Sequence, residues 1–204
     1  MTAKNSKAAS KTKPYTGIDE FANNMEDFAI SDIKASTNKM LKVGNITFRG
    51  QPLFLKLDAW LSIPFEPSVY NGTGEEDRKN IVLVLTPEIE QVLATMEDAI
   101  RQTLDEKVPN IEAIWVSSLK PATCYSGPTM KAKINVSGKQ PCKFFDENNL
   151  ATEAPVAFRP LDAKVVLRIQ GVYVQKQAAG LMTTVTHMQN RPAEAGVEDF
   201  TSPF

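Results

Sequence analysis

Apolar and polar residues alternate along several segments of this chain, and this alternation restricts the possible folds more than any other feature of the sequence. Between Pro52 and Leu61 every second residue is apolar, and Met130–Val136 repeats the pattern. A period of two places successive side chains on opposite faces of a β-strand. In the first segment one face would hold Leu53, Leu55, Leu57, Ala59 and Leu61, and the other Phe54, Lys56, Asp58 and Trp60. We therefore expect a mainly β fold.

Further segments complete the predicted set of strands. Residues 163–175 and 180–188 form an extended pair joined by a turn at residues 176–180, and residues 142–145 follow a turn at 137–139. Because Phe144 and Phe145 are adjacent, they point to opposite faces, and one of them is expected in the core. The uninterrupted apolar run Ile81–Leu85 predicts a strand that is buried on both faces.

One segment has the pattern of a long amphipathic helix. Thr86 can cap its first turn, Pro87 suits the first helical position, and Pro109 ends it. Apolar residues recur at intervals of three and four and make one stripe, which consists of Ile89, Val92, Leu93, Met96, Ile100 and Leu104. At ~1.5 Å per residue the helix is about 30 Å long, enough to cross one side of a small barrel.

The chain is predicted to hold one domain between two flexible ends. Residues 1–16 form a basic arm with few groups to bury, residues 17–190 form the domain, and residues 191–204 form an acidic tail that we expect to be disordered. Within the domain, Ile18–Ile30 could form a short acidic helix. Pro64–Asn80 contains proline, Asn-Gly and a run of charges, which predicts a long exposed loop.

The sequence lacks the groups that most enzymes use. It contains one histidine, two cysteines, and no phosphate-binding loop, nucleophile elbow or carboxylate-rich metal motif. The histidine, His187, lies in a predicted strand, where a structural or surface role is the ordinary expectation and catalysis the alternative. We therefore expect a protein that is not an enzyme and that uses no metal and no cofactor.

No segment of the sequence predicts contact with a membrane. The longest apolar runs are far shorter than the ~20 residues that span a bilayer. The lysines near the N-terminus are not followed by the apolar stretch of a secretory signal. These features predict an intracellular protein.

Charge is segregated along the chain although its net charge is only −1. Residues 116–145 contain five lysines and no acid, whereas residues 86–106 contain six acids and one arginine. The basic region and the strands after it also carry aromatic rings. Cations that follow phosphates and rings that stack on bases are the combination that single-strand binders use, whereas duplex readers more often carry a basic helix. The pattern predicts an interface for single-stranded nucleic acid.

The candidate contact residues lie in the basic region and in neighbouring strands. They are Lys131, Lys133, Lys139, Lys143, Phe145, Arg168, Tyr173, Lys176, Lys56 and Trp60. Ordinary roles remain open for several of them. Lysines such as Lys131 and Lys133 occur on any half-exposed strand, and Trp60, like Trp115, is also explained by packing. The prediction of a nucleic-acid interface rests on the long stretch without acids rather than on any one side chain.

The last residues of the chain predict a docking element for a protein partner. A terminal aromatic residue left in water contributes nothing to folding, and its ring and the α-carboxylate together make a compact anchor for a pocket with a basic rim. The predicted docking residues are Glu198, Asp199, Phe200, Pro203 and Phe204. The tail could also lie on the chain's own basic strands until nucleic acid displaces it, which would link the two binding events.

Two parts of the chain resemble a known group of proteins. The segment Glu198-Asp199-Phe200-Thr201-Ser202-Pro203-Phe204 resembles the acidic tails, ending in Pro-Phe, of bacterial and phage single-stranded DNA-binding proteins, with Thr201 and Ser202 in place of the usual aspartates. Residues 46–190 are similar to the single-stranded DNA-binding proteins of phages and large DNA viruses. The similar stretches are Ser117–Pro121, Thr129–Ile134, Lys143–Asp146 and Lys164–Val174.

The resemblance implies an OB-fold, a five-stranded Greek-key barrel with a helix, that binds single-stranded DNA in a groove on the barrel face, often as a homodimer. The DNA contacts that it implies are Lys131, Lys133, Lys143, Phe145, Arg168 and Tyr173. It also implies a role in DNA replication, recombination or repair, in the cytoplasm of a bacterial host or at the replication site of a DNA virus. There the tail would recruit a polymerase, primase or helicase. Residues 178–184 depart from the family, which tends to carry a basic-aromatic pair in this hairpin.

A second class of function is left open by the charge balance of the body of the chain. Residues 14–190 carry 18 bases against 21 acids. A structural or adaptor protein, such as a virion or assembly component, could use the same β-domain for protein contacts. That alternative predicts no continuous positive surface. RNA binding is a third possibility, which competition between DNA and RNA would test.

Overall fold

The computed structural model describes residues 15–36, 41–69, 78–122, 125, 127–138 and 140–193. Within these ranges the strands are β1 Thr16–Gly17, β2 Phe28–Ile30, β3 Lys34–Ala35, β4 Lys42–Phe48, β5 Gln51–Ile63, β6 Ser68–Val69, β7 Arg78–Val84, β8 Leu119–Lys120, β9 Thr129–Asn135, β10 Lys143–Phe145, β11 Ala151–Thr152, β12 Leu161–Val174 and β13 Ala179–Pro192. The helices are α1 Ile18–Ala22, α2 Pro87–Asp105 and α3 Ile111–Ile114, with a 3-10 turn at Met25–Asp27.

Five of the longer strands form the body of the molecule. β12 pairs antiparallel with β5 on one side and with β13 on the other, β13 pairs parallel with β9, and β9 pairs antiparallel with β7. β7 lies alongside β5, but no ladder joins these two strands in the described ranges. The strands thus surround one core, to which α2 contributes its apolar stripe.

One edge of strand β12 pairs with two other strands, β5 and β4. Residues Leu161–Ile169 pair with β5, and Gly171–Val174 pair with the first half of β4. At the junction the backbones approach so closely that a Cβ atom on Gly171 would lie 2.0 Å from the carbonyl oxygen of Gly44. Only glycine fits there, and the shift in register beside it allows the change of direction.

The predicted mainly β fold with one long helix is confirmed. In β5 the predicted face is buried, with Leu53, Leu55, Leu57 and Leu61 at most 1% exposed. The amide of Ile89 donates to Oγ1 of Thr86, so α2 begins with the predicted cap. As expected, one phenylalanine of the pair at 144–145 is in the core, and it is Phe144.

Several boundaries differ from the predictions. Ile18–Ile30 is not one helix, because α1 ends at Ala22 and Phe28–Ile30 pairs with β4 as a strand. The apolar run Ile81–Leu85 is not buried on both faces: Ile81 and Leu83 are buried, whereas Val82 and Val84 are half-buried. The expected loop Pro64–Asn80 contains β6 and the start of β7, and residues 70–77 lie outside the described ranges.

The predicted ends of the domain also contain ordered residues. Thr16 pairs with Leu55 in β1, and Arg191 and Pro192 belong to β13, where they pair with Asp162 and Leu161. Residues 1–14 and 194–204 lie outside the described ranges, so their flexibility stays a prediction. None of the described helices has the length and apolar character needed to cross a bilayer.

Candidate nucleic-acid interface

The pairing of the strands brings residues from distant parts of the sequence into one line across the sheet. Asn80 of β7 pairs with Lys133 of β9, Lys133 pairs with Thr184 of β13, Thr184 pairs with Arg168 of β12, and Arg168 pairs with Phe54 of β5. Directly paired residues of neighbouring strands point to the same face of a sheet. One lysine, one arginine and one aromatic ring therefore share a face.

In the same strands, the adjacent line of paired residues points to the opposite face of the sheet, toward the core. Ile134, Val185, Leu167 and Leu55 pair with one another in the same order, and each is at most 1% exposed. The cationic line consequently lies on the face away from the core, where Lys133, Arg168 and Phe54 are half-buried and Thr184 is 8% exposed.

Two further lines extend this surface toward β10. Lys143 pairs with His187, which pairs with Val166, which pairs with Lys56. In the next line Phe145 pairs with Gln189, which pairs with Lys164. We call the resulting surface the basic face and define it by Phe54, Lys56, Lys133, Lys143, Phe145, Lys164, Arg168 and His187. It spans β5, β12, β13, β9 and β10.

Aromatic rings form a continuous chain across the basic face. The ring of Tyr15 lies 6.5 Å from that of Phe54 and 5.3 Å from that of His187, both edge-on, and Phe145 is stacked on His187 at 6.2 Å with 11° between the planes. The hydroxyl oxygen of Tyr15 is 3.1 Å from Nε2 of His187. Residue 15, just before β1, thus ties the start of the domain to the middle of this surface.

Cations lie beside these rings. The guanidinium carbon of Arg168 is 5.8 Å from the centroid of Phe54, within the range of a cation–π contact. A depression of about 240 Å³ opens between the aromatic chain and the neighbouring lysines. Its lining includes Tyr15, Lys56, Phe145, Lys164 and His187. Lys56 also contacts Asp58 at 2.7 Å, but both side chains are well exposed, so this pair contributes little to stability.

His187 sits where its protonation depends on its neighbours. Burial lowers its pKa below the usual range, and the nearby ammonium of Lys143 lowers the pKa further. The neutral imidazole is therefore favoured in the free protein at neutral pH. Its Nδ1 atom is 3.1 Å from Oγ1 of Thr186, so both ring nitrogens have a neighbouring hydroxyl.

At one end of the basic face, Trp60 contacts two cations. Nζ of Lys164 is 5.1 Å and the guanidinium carbon of Arg191 is 4.5 Å from the ring centroid. Arg191 also contacts Asp162 at 3.5 Å, and Asp162 accepts a hydrogen bond from Oγ of Ser62. Trp60 is thus neither in the core nor isolated on the surface. Trp115, in contrast, donates to the buried carboxylate of Glu97, in line with the packing role considered for it.

The structure brings most of the predicted contact residues together but not all. Lys131 extends the basic face along β9, two residues from Lys133. Tyr173 and Lys176 lie at the other end of the β12–β13 hairpin, where Tyr173 pairs with Val43 and packs against Gly180, and Lys176 occupies the turn. Lys139 and the tail residues Glu198, Asp199, Phe200, Pro203 and Phe204 lie outside the described ranges. All of these roles stay predictions.

Residues that were not among the predicted nucleic-acid contacts also lie on or beside the basic face. They are Tyr15, Phe54, Lys164, His187 and Arg191. For Phe54 and Lys164 a signal was present, because each alternates with buried residues and shares a strand face with a predicted contact. Tyr15 offered no such signal, since it belongs to the lysine-rich N-terminal segment.

The described residues contain no group of three or more side chains that could together hold a metal ion. Burial raises the pKa of the Cys142 thiol to about 12, so this side chain stays protonated and is a poor nucleophile.

No protein-family model and no curated protein sequence matches the chain. Among solved structures it is similar to the single-stranded DNA-binding protein from bacteriophage Enc34 in complex with single-stranded DNA, with 10% sequence identity, a TM-score of 0.47, and coverage of 78% of this chain and 94% of that chain. It is also similar to gp2.5, a single-stranded DNA-binding protein encoded by bacteriophage T7, with 13% identity, a TM-score of 0.49, and coverage of 74% and 98%. The chain is thus similar in structure to phage single-stranded DNA-binding proteins, as its sequence predicts.

Proposed function

We propose that this protein binds single-stranded DNA without sequence specificity along the basic face. The observation that carries the proposal is the alternation, on one solvent-facing surface, of cations with a continuous chain of aromatic rings. Phosphates would be bound by Lys133, Lys143 and Arg168, and bases would stack on half-buried rings such as Phe54 and Phe145. Neither contact reads the edge of a base, so the binding tolerates any sequence.

We further propose that the five body strands are an OB-fold-like Greek-key barrel. In chain order β5, β7, β9, β12 and β13 are its first to fifth strands. The first pairs with the fourth and the third pairs in parallel with the fifth. The missing ladder between β5 and β7 is compatible with the partly open barrels of this class. Such barrels bind oligonucleotides on their strands and adjoining loops, which is where the basic face lies.

The strength of binding follows from the cations that the surface offers. Lys56, Lys133, Lys143, Lys164 and Arg168 are within the basic face, and the carboxylate of Asp58 offsets one of them. About four phosphate contacts give a slope of roughly −3 in a plot of log K against log salt, at ~0.7 per contact with a single strand. Binding is therefore expected to weaken steeply with salt.

The alternative of an adaptor or structural protein is less well supported. It predicts no continuous positive surface, whereas the basic face spans five strands in the described residues. The accompanying rings also distinguish this surface from an ordinary solvated strand face. We therefore favour a binding protein in DNA replication, recombination or repair over both the adaptor and an enzyme.

We also propose that residues 198–204 recruit a replication protein such as a polymerase, primase or helicase. The support is the Pro203-Phe204 pair together with Glu198 and Asp199, as predicted from the sequence. Deleting these residues should leave DNA affinity equal or tighter and abolish capture of the partner. A marked loss of DNA affinity would contradict this role. A homodimer, which the family resemblance implies, is testable by analytical ultracentrifugation of the full chain.

The proposed function is tested by titrating labelled oligo-dT with the full chain and recording fluorescence anisotropy at several salt concentrations. We expect binding tighter than about 10 μM at low salt, with affinity that falls as salt rises. Oligo-U and duplex DNA of the same length are the comparison ligands. Absence of salt-sensitive binding to oligo-dT would exclude the proposal. Stronger binding to oligo-U would indicate that the basic face binds RNA instead.

A further inference from the structure

Strand β5 is irregular where it faces Lys164. Leu57 pairs with Val165 and Leu61 pairs with Ala163, so that three residues of β5 stand opposite Lys164 alone. Such a bulge bends a strand and changes the direction of its side chains. Trp60 belongs to the bulge, and its ring lies 5.1 Å from the ammonium nitrogen of Lys164. The irregularity of β5 thus brings the tryptophan onto the lysine.

A second cation reaches the same ring from β13. The guanidinium carbon of Arg191 is 4.5 Å from the centroid of Trp60. Its position is fixed from the other side by Asp162, which is only 8% exposed and also accepts a hydrogen bond from Ser62. Two cations therefore meet at one indole ring, and Asp162 contacts one of them.

This arrangement brings two positive charges onto one ring, and a bound anion would reduce the repulsion between them. Two cations on one ring repel each other, which offsets part of the attraction of each to the indole. Lys164 also lines the depression that contains Lys56 and Phe145, so the cluster continues the basic face rather than standing apart from it. A phosphate at the cluster would lie on the path of a strand bound to that face.

We propose that Lys164 and Arg191 form a phosphodiester-binding subsite at one end of the basic face, with Trp60 as the residue that positions both cations. This inference rests on the proposed binding of single-stranded DNA. It changes the expected role of Trp60, since a ring that holds two cations is not a free platform for a base. Stacking of a base on Trp60 would require one or both cations to leave the ring.

The test compares Trp60→Leu with the double variant Lys164→Gln/Arg191→Gln in oligo-dT titrations over a range of salt. The subsite predicts that the double variant lowers the salt slope by roughly 1.4, at ~0.7 per lost contact. Trp60→Leu should lower the slope in the same direction, and adding it to the double variant should change little more. Trp60→Phe, which keeps a ring, should restore part of the slope. Lys34→Gln/Lys107→Gln, which neutralises two exposed lysines outside the basic face, is the matched control.

Tryptophan fluorescence provides a readout that separates positioning from stacking. The chain contains two tryptophans, so Trp115→Phe leaves Trp60 as the sole emitter. Positioning predicts little quenching by oligo-dT, whereas stacking on a base predicts strong quenching with an unchanged salt slope in Trp60→Leu. The latter result would overturn the inference, as would a wild-type slope in the double variant. In both cases the wild type still binds oligo-dT, which distinguishes them from failure of the proposed function.

Discussion

The line of paired residues across the sheet gives a quantitative prediction for two cations that come from different strands. Lys133 and Arg168 both pair with Thr184, one on each side of β13. In the proposed complex each binds one phosphate. Replacing both with glutamine removes two contacts and should lower the slope of log K against log salt by roughly 1.4.

The same relation fixes how the loss of affinity depends on salt. A slope change of 1.4 corresponds to a loss of roughly 15-fold at 0.15 M salt and roughly 65-fold at 0.05 M, and the loss vanishes near 1 M. The assay is anisotropy of labelled oligo-dT at four or more salt concentrations, with circular dichroism to check the fold. Lys34→Gln/Lys107→Gln carries the same change of net charge away from the basic face.

Two outcomes would refute this reasoning. If the control pair lowers the slope as much as the Lys133/Arg168 pair, total charge rather than the geometry of the face governs binding. If the Lys133/Arg168 variant loses the same factor at every salt concentration, these residues act through the fold or through the ring of Phe54, and not as phosphate contacts.

Three other perturbations separate the remaining contributions. Phe145→Leu should weaken oligo-dT binding by ~1–3 kcal/mol with an unchanged salt slope, because stacking is not ionic. A changed slope in this titration would show that the ring positions cations instead of stacking on a base. The pKa of His187 is lower in the folded chain than in the unfolded chain, so folding favours the neutral imidazole. The stability that this side chain contributes is therefore fully present above about pH 6.5, and it is lost as the pH falls from there toward the folded-state pKa. Thermal melts from pH 7 to pH 5 should therefore show a smaller loss of stability in His187→Gln than in the wild type, and equal losses would contradict this. Cys142 should react with a thiol reagent only on unfolding, and rapid labelling of the native chain at this residue would disprove its burial.

The parts of the fold that the sequence predicted are those set by local chemistry. The cap at Thr86, the proline after it and the apolar stripe all act within α2, and the helix begins where they indicate. The alternation in β5 likewise needs only the strand itself and one buried face. The prediction that Ile81–Leu85 is buried on both faces was wrong. The outer face of this strand lies beside the lysines of β9 and is only half-buried, although its residues are apolar.

The composition of the basic face could not be predicted in full because it depends on long-range register. Lys133, Arg168 and Phe54 are far apart in the chain, and they share one line only through the pairing of four strands. A shift of one residue in any ladder would turn one of these side chains toward the core. The bulges in β12 and β5 decide that register, and no local pattern marked them. Tyr15 joined the surface through contacts with His187 that its own segment gave no reason to expect.

The proposed binding of a polyanion by a chain of net charge −1 is explained by the local charge of the basic face. At physiological salt, charges separated by more than about 8 Å are largely screened, so acids elsewhere on the surface have little influence on a bound phosphate. Two nearby carboxylates contact cations: Asp58 contacts Lys56 of the basic face, and Asp162 contacts Arg191 at its end. These acids orient their partners and also reduce the excess of positive charge. In the proposed complex such a surface would bind through a few screened contacts and release readily as salt rises, which suits a protein that covers single-stranded DNA and then leaves it.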